Sequence, residues 1–113
     1  MSEVFVNETY PAGSGTVTLS VEIGNGHKGR SKILLDDAEV ARGSGLVTAQ
    51  LGSGLAGREV VVITVVNQAN RDSMETCVDY RFSGGSAPRT FTASQSVSTR
   101  GEGVDYEATF KLV

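Results

Sequence analysis

Nucleophilic catalysis needs a nucleophile, a base and a group that orients the base. This chain has one histidine, His27, and one cysteine, Cys77, fifty positions apart. His27 lies in a glycine-rich stretch at 24–29, where a solvent-exposed loop histidine is expected, and no serine sits in a nucleophile-elbow pattern. Cys77 falls in an alternating segment whose phase turns the thiol outward. Paired carboxylates are another route to hydrolysis. Asp36, Asp37 and Glu39 surround one turn, and Asp72 and Glu75 another, places where acids ordinarily serve the turn itself. The first three are also the candidates for a calcium site, with Asn70, Asp72 and Glu75 as a second set, although no D-x-D-x-D-G spacing occurs. From these residue types we expect no enzyme and no cofactor.

Two further groups bear on binding. The 24–29 loop resembles a phosphate cradle only in its glycines, since it lacks the Walker spacing and no helix follows. Lys28, Arg30 and Lys32 gather beside it on a chain of net charge -3, which makes His27, Lys28 and Arg30 loop candidates for an acidic partner. Glycan sites present planar aromatics. Here there is no tryptophan, and Tyr80, Phe82, Phe91, Tyr106 and Phe110 fall on core positions by alternation. Phe5 and Tyr10 remain, and Tyr10 ahead of Pro11 reads as a plug at a strand exit.

The elements that must position these residues are strands. Fourteen glycines punctuate segments rich in Val and Thr, and period-two alternation is the main signal. In 16–23, Val17, Leu19, Val21 and Ile23 share one face; in 104–112, Val104, Tyr106, Ala108, Phe110 and Leu112 do so. Residues 74–83 put Met74, Thr76, Val78, Tyr80 and Phe82 inward, and 90–97 put Phe91, Ala93 and Val97 inward with Gln95 as a polar intruder. Weaker strands are expected at 3–8, 32–36 and 46–51. Glycine-rich connectors at 13–15, 43–45 and 52–54 offer positive φ, while 24–29, 67–72, 83–88 and 101–103 read as hairpin loops. About seven or eight short strands without a helix predict an antiparallel β-sandwich of the immunoglobulin or fibronectin III kind, with a small β-barrel as the alternative.

Residues 58–67 differ from the rest. Val60, Val62 and Val66 share one face, and Val61, Ile63 and Val65 the other. In a two-layer sandwich the outer face is normally wet, so a strand apolar on both sides is covered by long neighbours or meets something. Val61, Ile63 and Val65 are therefore the interface candidates. The uncharged run is also the segment most prone to aggregate, with Arg58 and Glu59 ahead of it as gatekeepers.

At 113 residues and 11.8 kDa the chain is expected to form a single domain, 1–113, large enough to fold without disulfides or metal. With 39% hydrophobic and 20% charged residues it is too apolar to be disordered. Its acidic balance argues against a nucleic-acid partner, and its longest apolar run is far too short for a membrane-spanning helix. One cysteine leans towards a reducing compartment. As written the chain reads as cytoplasmic and bacterial, or as exported if a leader has been removed, and the Asn7-Glu8-Thr9 sequon is read as chance. The functional expectation is a non-catalytic interaction module, binding a protein or its own copies through the apolar face. The alternative is a loop-built module for a glycan, with or without calcium.

Overall fold

The computed structural model describes residues 2–113. Among these residues nine strands form: β1 (Ser2–Tyr10), β2 (Val17–Ile23), β3 (Lys28–Leu35), β4 (Ala38–Ser44), β5 (Leu46–Gly52), β6 (Glu59–Asn67), β7 (Glu75–Ser83), β8 (Arg89–Ser96) and β9 (Gly103–Leu112). They make a sandwich of a five-stranded sheet, ordered β1-β9-β6-β3-β4, and a four-stranded sheet, ordered β5-β2-β7-β8. The two sheets do not close into a barrel. All pairings are antiparallel except β1 with β9, which run parallel from Ser2 beside Val104 to Tyr10 beside Leu112.

Alternation sets which side chains meet between the sheets. Val17, Leu19 and Val21 of β2 and Val78, Tyr80 and Phe82 of β7 face Ile33 of β3, Val60, Val62 and Val66 of β6, and Val104 to Leu112 at alternate positions of β9, all of them buried. Gln95 of β8 is half-buried on the inward side, as its place in the alternation demands. Phe82 and Phe110 come from opposite sheets and meet edge to face with centroids 5.0 Å apart. Tyr10, at the exit of β1, stacks on Phe82 at 4.4 Å and donates its hydroxyl to the Ala87 carbonyl at 2.8 Å. The plug expected before Pro11 is thus a fully buried aromatic that ties the β1 exit to the β7–β8 loop.

The connections correct the loop assignments. Only β3–β4 and β7–β8 are hairpins. The loops at 24–29, 67–72 and 101–103, read from sequence as hairpin closures, instead carry the chain from one sheet to the other. The β3–β4 turn places Asp36 and Asp37 at φ 47° and 70°, the two left-handed residues of a primed hairpin turn. Strand β4 lacks an apolar alternation because it is an edge strand with a bulge opposite Ile33 and Leu34, so its sequence looks like loop.

Among the described residues one buried side-chain polar atom is unpaired. The Tyr80 hydroxyl is fully buried and has no partner among the described residues, whereas the Tyr106 hydroxyl pairs with Thr76. Burial pushes the Tyr80 hydroxyl well above the usual tyrosine range, and the nearby Tyr106 adds to the shift. A raised folded-state value gives a contribution to stability that is full below the unfolded tyrosine value near pH ~10 and is lost as pH rises beyond it. Removing an unpaired buried hydroxyl relieves its desolvation cost. Tyr80→Phe should therefore be neutral or stabilising by up to about 1 kcal/mol, and should lessen the loss of stability in alkali. Urea unfolding at pH values on both sides of the tyrosine range checks this; a loss of more than about 1 kcal/mol at neutral pH would contradict it.

Candidate interaction face

Strand β6 is the centre of the five-stranded sheet, hydrogen-bonded along its length to β3 on one side and β9 on the other. The sequence phase holds. Val60, Val62 and Val66 are fully buried, while Val61 is half-buried and Ile63 and Val65 are each 38% exposed on the outer face. Register fixes what flanks them. Val65 lies between Arg30 of β3 and Asp105 of β9; Ile63 lies between Lys32 and Glu107; Val61 lies between Leu34 and Thr109. One strand further out, Glu3 and Phe5 of β1 adjoin Asp105 and Glu107, and Ser44 and Arg42 of β4 adjoin Arg30 and Lys32.

Around Ile63 and Val65 the face is therefore divided by charge. On one side of the apolar strip a shallow depression of about 440 Å³ is lined by Arg30, Lys32 and Arg42 with Ile63 and Val65. On the other side a depression of about 270 Å³ is lined by Glu3, Asp105 and Glu107 with Phe5 and the same two apolar side chains. Phe5 is 64% exposed. Among the described residues Arg42 pairs with Glu39, but Arg30, Lys32, Glu3, Asp105 and Glu107 form no ion pair.

The outer face of the four-stranded sheet is built differently. There Arg81 bridges Glu22 at 2.9 Å and Asp79 at 3.0 Å, Thr92 donates to Asp79, and Ser20 meets Thr48 across the β2–β5 pair. On that face Glu22, Asp79 and Arg81 answer one another, while Glu75 forms no ion pair among the described residues. Cys77 lies on it in the expected outward phase, half-buried against Gly24, and burial with the neighbouring Asp79 and Glu75 raises its thiol above the usual range.

The loop candidates separate. Arg30 projects onto the sheet face beside Val65, and Lys28 sits at the end of β3 opposite Asn67. His27 corrects the sequence expectation: it is not a solvent-exposed loop residue but buried, at 7% exposure. Its Nδ1 accepts from the backbone N–H groups of Ala69 at 3.0 Å and Asn70 at 3.2 Å, and its Nε2 meets the Glu75 carbonyl at 2.8 Å. Two N–H donors at Nδ1 select the tautomer that carries its proton on Nε2, which donates to Glu75. Glycines flank the ring because the turn at 24–27 doubles back tightly, with Asn25 and Gly26 at positive φ. The imidazole joins the β2–β3 crossover to the β6–β7 crossover. Gln68 extends the tie by donating to the Asn70 and Ser73 carbonyls and accepting from Gly101 N–H at 2.7 Å.

Two of the candidate carboxylates for calcium or hydrolysis, Asp36 and Glu39, are engaged by arginines. Asp36 pairs with Arg58 at 2.6 Å and accepts the Glu59 N–H; Glu39 pairs with Arg42 at 2.6 Å. The Arg58 contact, then the Glu59 N–H, holds the Asp36 carboxyl below its usual range, and Arg42 does the same for Glu39. Asp37 occupies the second left-handed position of the turn. Among the described residues no group of three or more histidine, cysteine or acidic side chains is placed to hold a metal ion. Among the described residues no helix is long and apolar enough to cross a membrane. Comparison with protein-family models, curated proteins and solved structures finds no match to this chain.

The charge division of the sheet face was missed in the sequence because it depends on which strands flank β6. The signal was present in pieces, as alternate bases in 28–32 and alternate acids in 105–107. The buried role of His27 had no local signal, since its partners lie more than forty positions away. His27→Ala should leave two N–H groups and a carbonyl unpaired and cost about 2–4 kcal/mol. His27→Asn, whose amide oxygen can take the place of Nδ1, should lose less. Arg30→Ala, on the open face, should change stability by no more than about 0.5 kcal/mol. Denaturant melts of the three variants check the order, and a His27→Ala protein as stable as Arg30→Ala would contradict the assigned role.

Proposed function

We propose that this chain is a non-catalytic protein-interaction module whose binding surface is the outer face of the five-stranded sheet. The observation that carries the reading is the contrast between the two outer faces. On one, Arg81 answers both Glu22 and Asp79. The other exposes Ile63 and Val65 in a strip, with Phe5 beside it, between charges of which Arg30, Lys32, Glu3, Asp105 and Glu107 form no ion pair among the described residues. Apolar side chains ringed by polar groups gain from burial against a partner, and the surrounding charges select which partner fits. The absence of catalysis is supported by the use of the residues that could carry it: His27 holds two crossovers together, and the Asp36 and Glu39 carboxylates are paired with arginines. A loop-built glycan or calcium site draws less support, because those acids serve a turn and Phe5 lies on the sheet face.

The reading requires the face to be dispensable for folding. Val61→Lys with Val65→Lys should fold, with stability reduced by about 1 kcal/mol, and should elute earlier than the parent from a phenyl column. Val62→Lys, which forces a charge into the space between the sheets, should lose about 3–5 kcal/mol. Circular dichroism melts and the column profile check both. If the double variant unfolds as Val62→Lys does, the outer valines belong to the core and the reading fails.

A further inference from the structure

We infer that the partner of this face is a second copy of the chain, packed face to face about a two-fold axis running close to parallel to β6. The inference rests on the proposed interaction surface and adds its occupant and geometry. In the Ile63 and Val65 rows acidic side chains lie on the β1–β9 side of the apolar strip and basic ones on the β3–β4 side, while outside those rows β9 carries Lys111 and β4 carries Glu39. A two-fold axis along β6 exchanges left for right while keeping position along the strand. It therefore lays the acidic half of each copy over the basic half of the other. An axis across the strands would instead set acid on acid and base on base, which like-charge repulsion opposes.

Register makes the match specific. With the axis over β6, Ile63 meets its own counterpart and Val65 meets its own, as an isologous contact requires. In the Ile63 row, Glu107 comes over Lys32, and Phe5 comes over the Arg42 guanidinium, a cation–π partner. In the Val65 row, Asp105 comes over Arg30. Arg30, Lys32, Asp105 and Glu107, left unpaired within the chain, thus each gain a partner of opposite sign, while Glu3 comes over Ser44. Aligned sheets pack about 10 Å apart with a mutual inclination of about 30°, which side chains of this length span.

Five strands about 4.8 Å apart and about seven residues of each give a footprint of roughly 550 Å² per copy, or about 1,100 Å² in total. That is near the lower limit for a specific association, so the dimer should be reversible and should dissociate on dilution through the micromolar range.

Sedimentation velocity of the full chain in reductant, from about 5 µM to about 500 µM, tests the inference with two charge-reversed proteins. One carries Arg30→Glu with Lys32→Glu, the other Asp105→Lys with Glu107→Lys, and both are first shown to be folded by circular dichroism. The parent should pass from monomer to dimer as concentration rises. Each reversed protein alone should stay monomeric, because both halves of its face then carry one sign. An equimolar mixture of the two should recover a one-to-one heterodimer, because every reversed group then faces a reversed group of opposite sign. A parent that is monomeric throughout would overturn the second copy as occupant, while the folded state of the Val61 and Val65 double variant would still decide the underlying reading. Reversed proteins that dimerise alone would place the contact on another surface. Reversed proteins that remain monomeric when mixed would overturn the half-to-half geometry.

Discussion

Strand β6 has no free backbone edge and no polar face, and the rest of the molecule is arranged around that constraint. Its inner valines fill the space between the sheets, and its backbone is hydrogen-bonded on both sides along its whole length. Burying the inner row at ~25 cal/mol per Å² makes β6 a principal source of the sandwich's stability. The same strand sets the register of β3 and β9. It thereby fixes which charges stand beside Val61, Ile63 and Val65. Core and surface chemistry are two readings of one alternation.

The ends of the sandwich hold that central register by different means. At one end, aromatic contact does the work, with Tyr10 against Phe82 and Phe82 against Phe110 closing the space between the sheets. At the other, three crossovers that would otherwise leave backbone donors unpaired are knitted by His27 and Gln68. Six of the eight connections pass between sheets, so most strand pairs are distant in sequence. Long-range pairing of this kind makes folding slow relative to local topologies. It also makes polar ties at the crossovers more valuable than turns that only close a hairpin.

Much of the fold was legible because alternation reports burial directly. The inward sets of β2, β7 and β9 follow from period two alone, and so does the unusual pattern of β6. What could not be read was adjacency. Nothing in 24–29 says that His27 will meet Ala69, Asn70 and Glu75, because a glycine-flanked histidine looks the same in a solvated loop and a buried one. Nor does the strand list say that β9 and β3 flank β6, which is the fact that turns scattered acids and bases into opposed rows. Asp36 and Asp37 show the converse: their turn role was legible, while the Arg58 and Arg42 contacts that occupy Asp36 and Glu39 were not. Strand β4 was hidden because its bulge and exposed edge relieve it of any apolar alternation.

The most direct test of the central claim, that a second copy buries the outer face of β6, uses the three isoleucines. Ile23 and Ile33 are buried, and Ile63 is 38% exposed at the centre of the proposed contact. Methyl-labelled isoleucine spectra recorded over a dilution series should show the Ile63 resonance moving with concentration while those of Ile23 and Ile33 stay fixed. An Ile63 methyl that holds its position from dilute to concentrated protein would contradict the account.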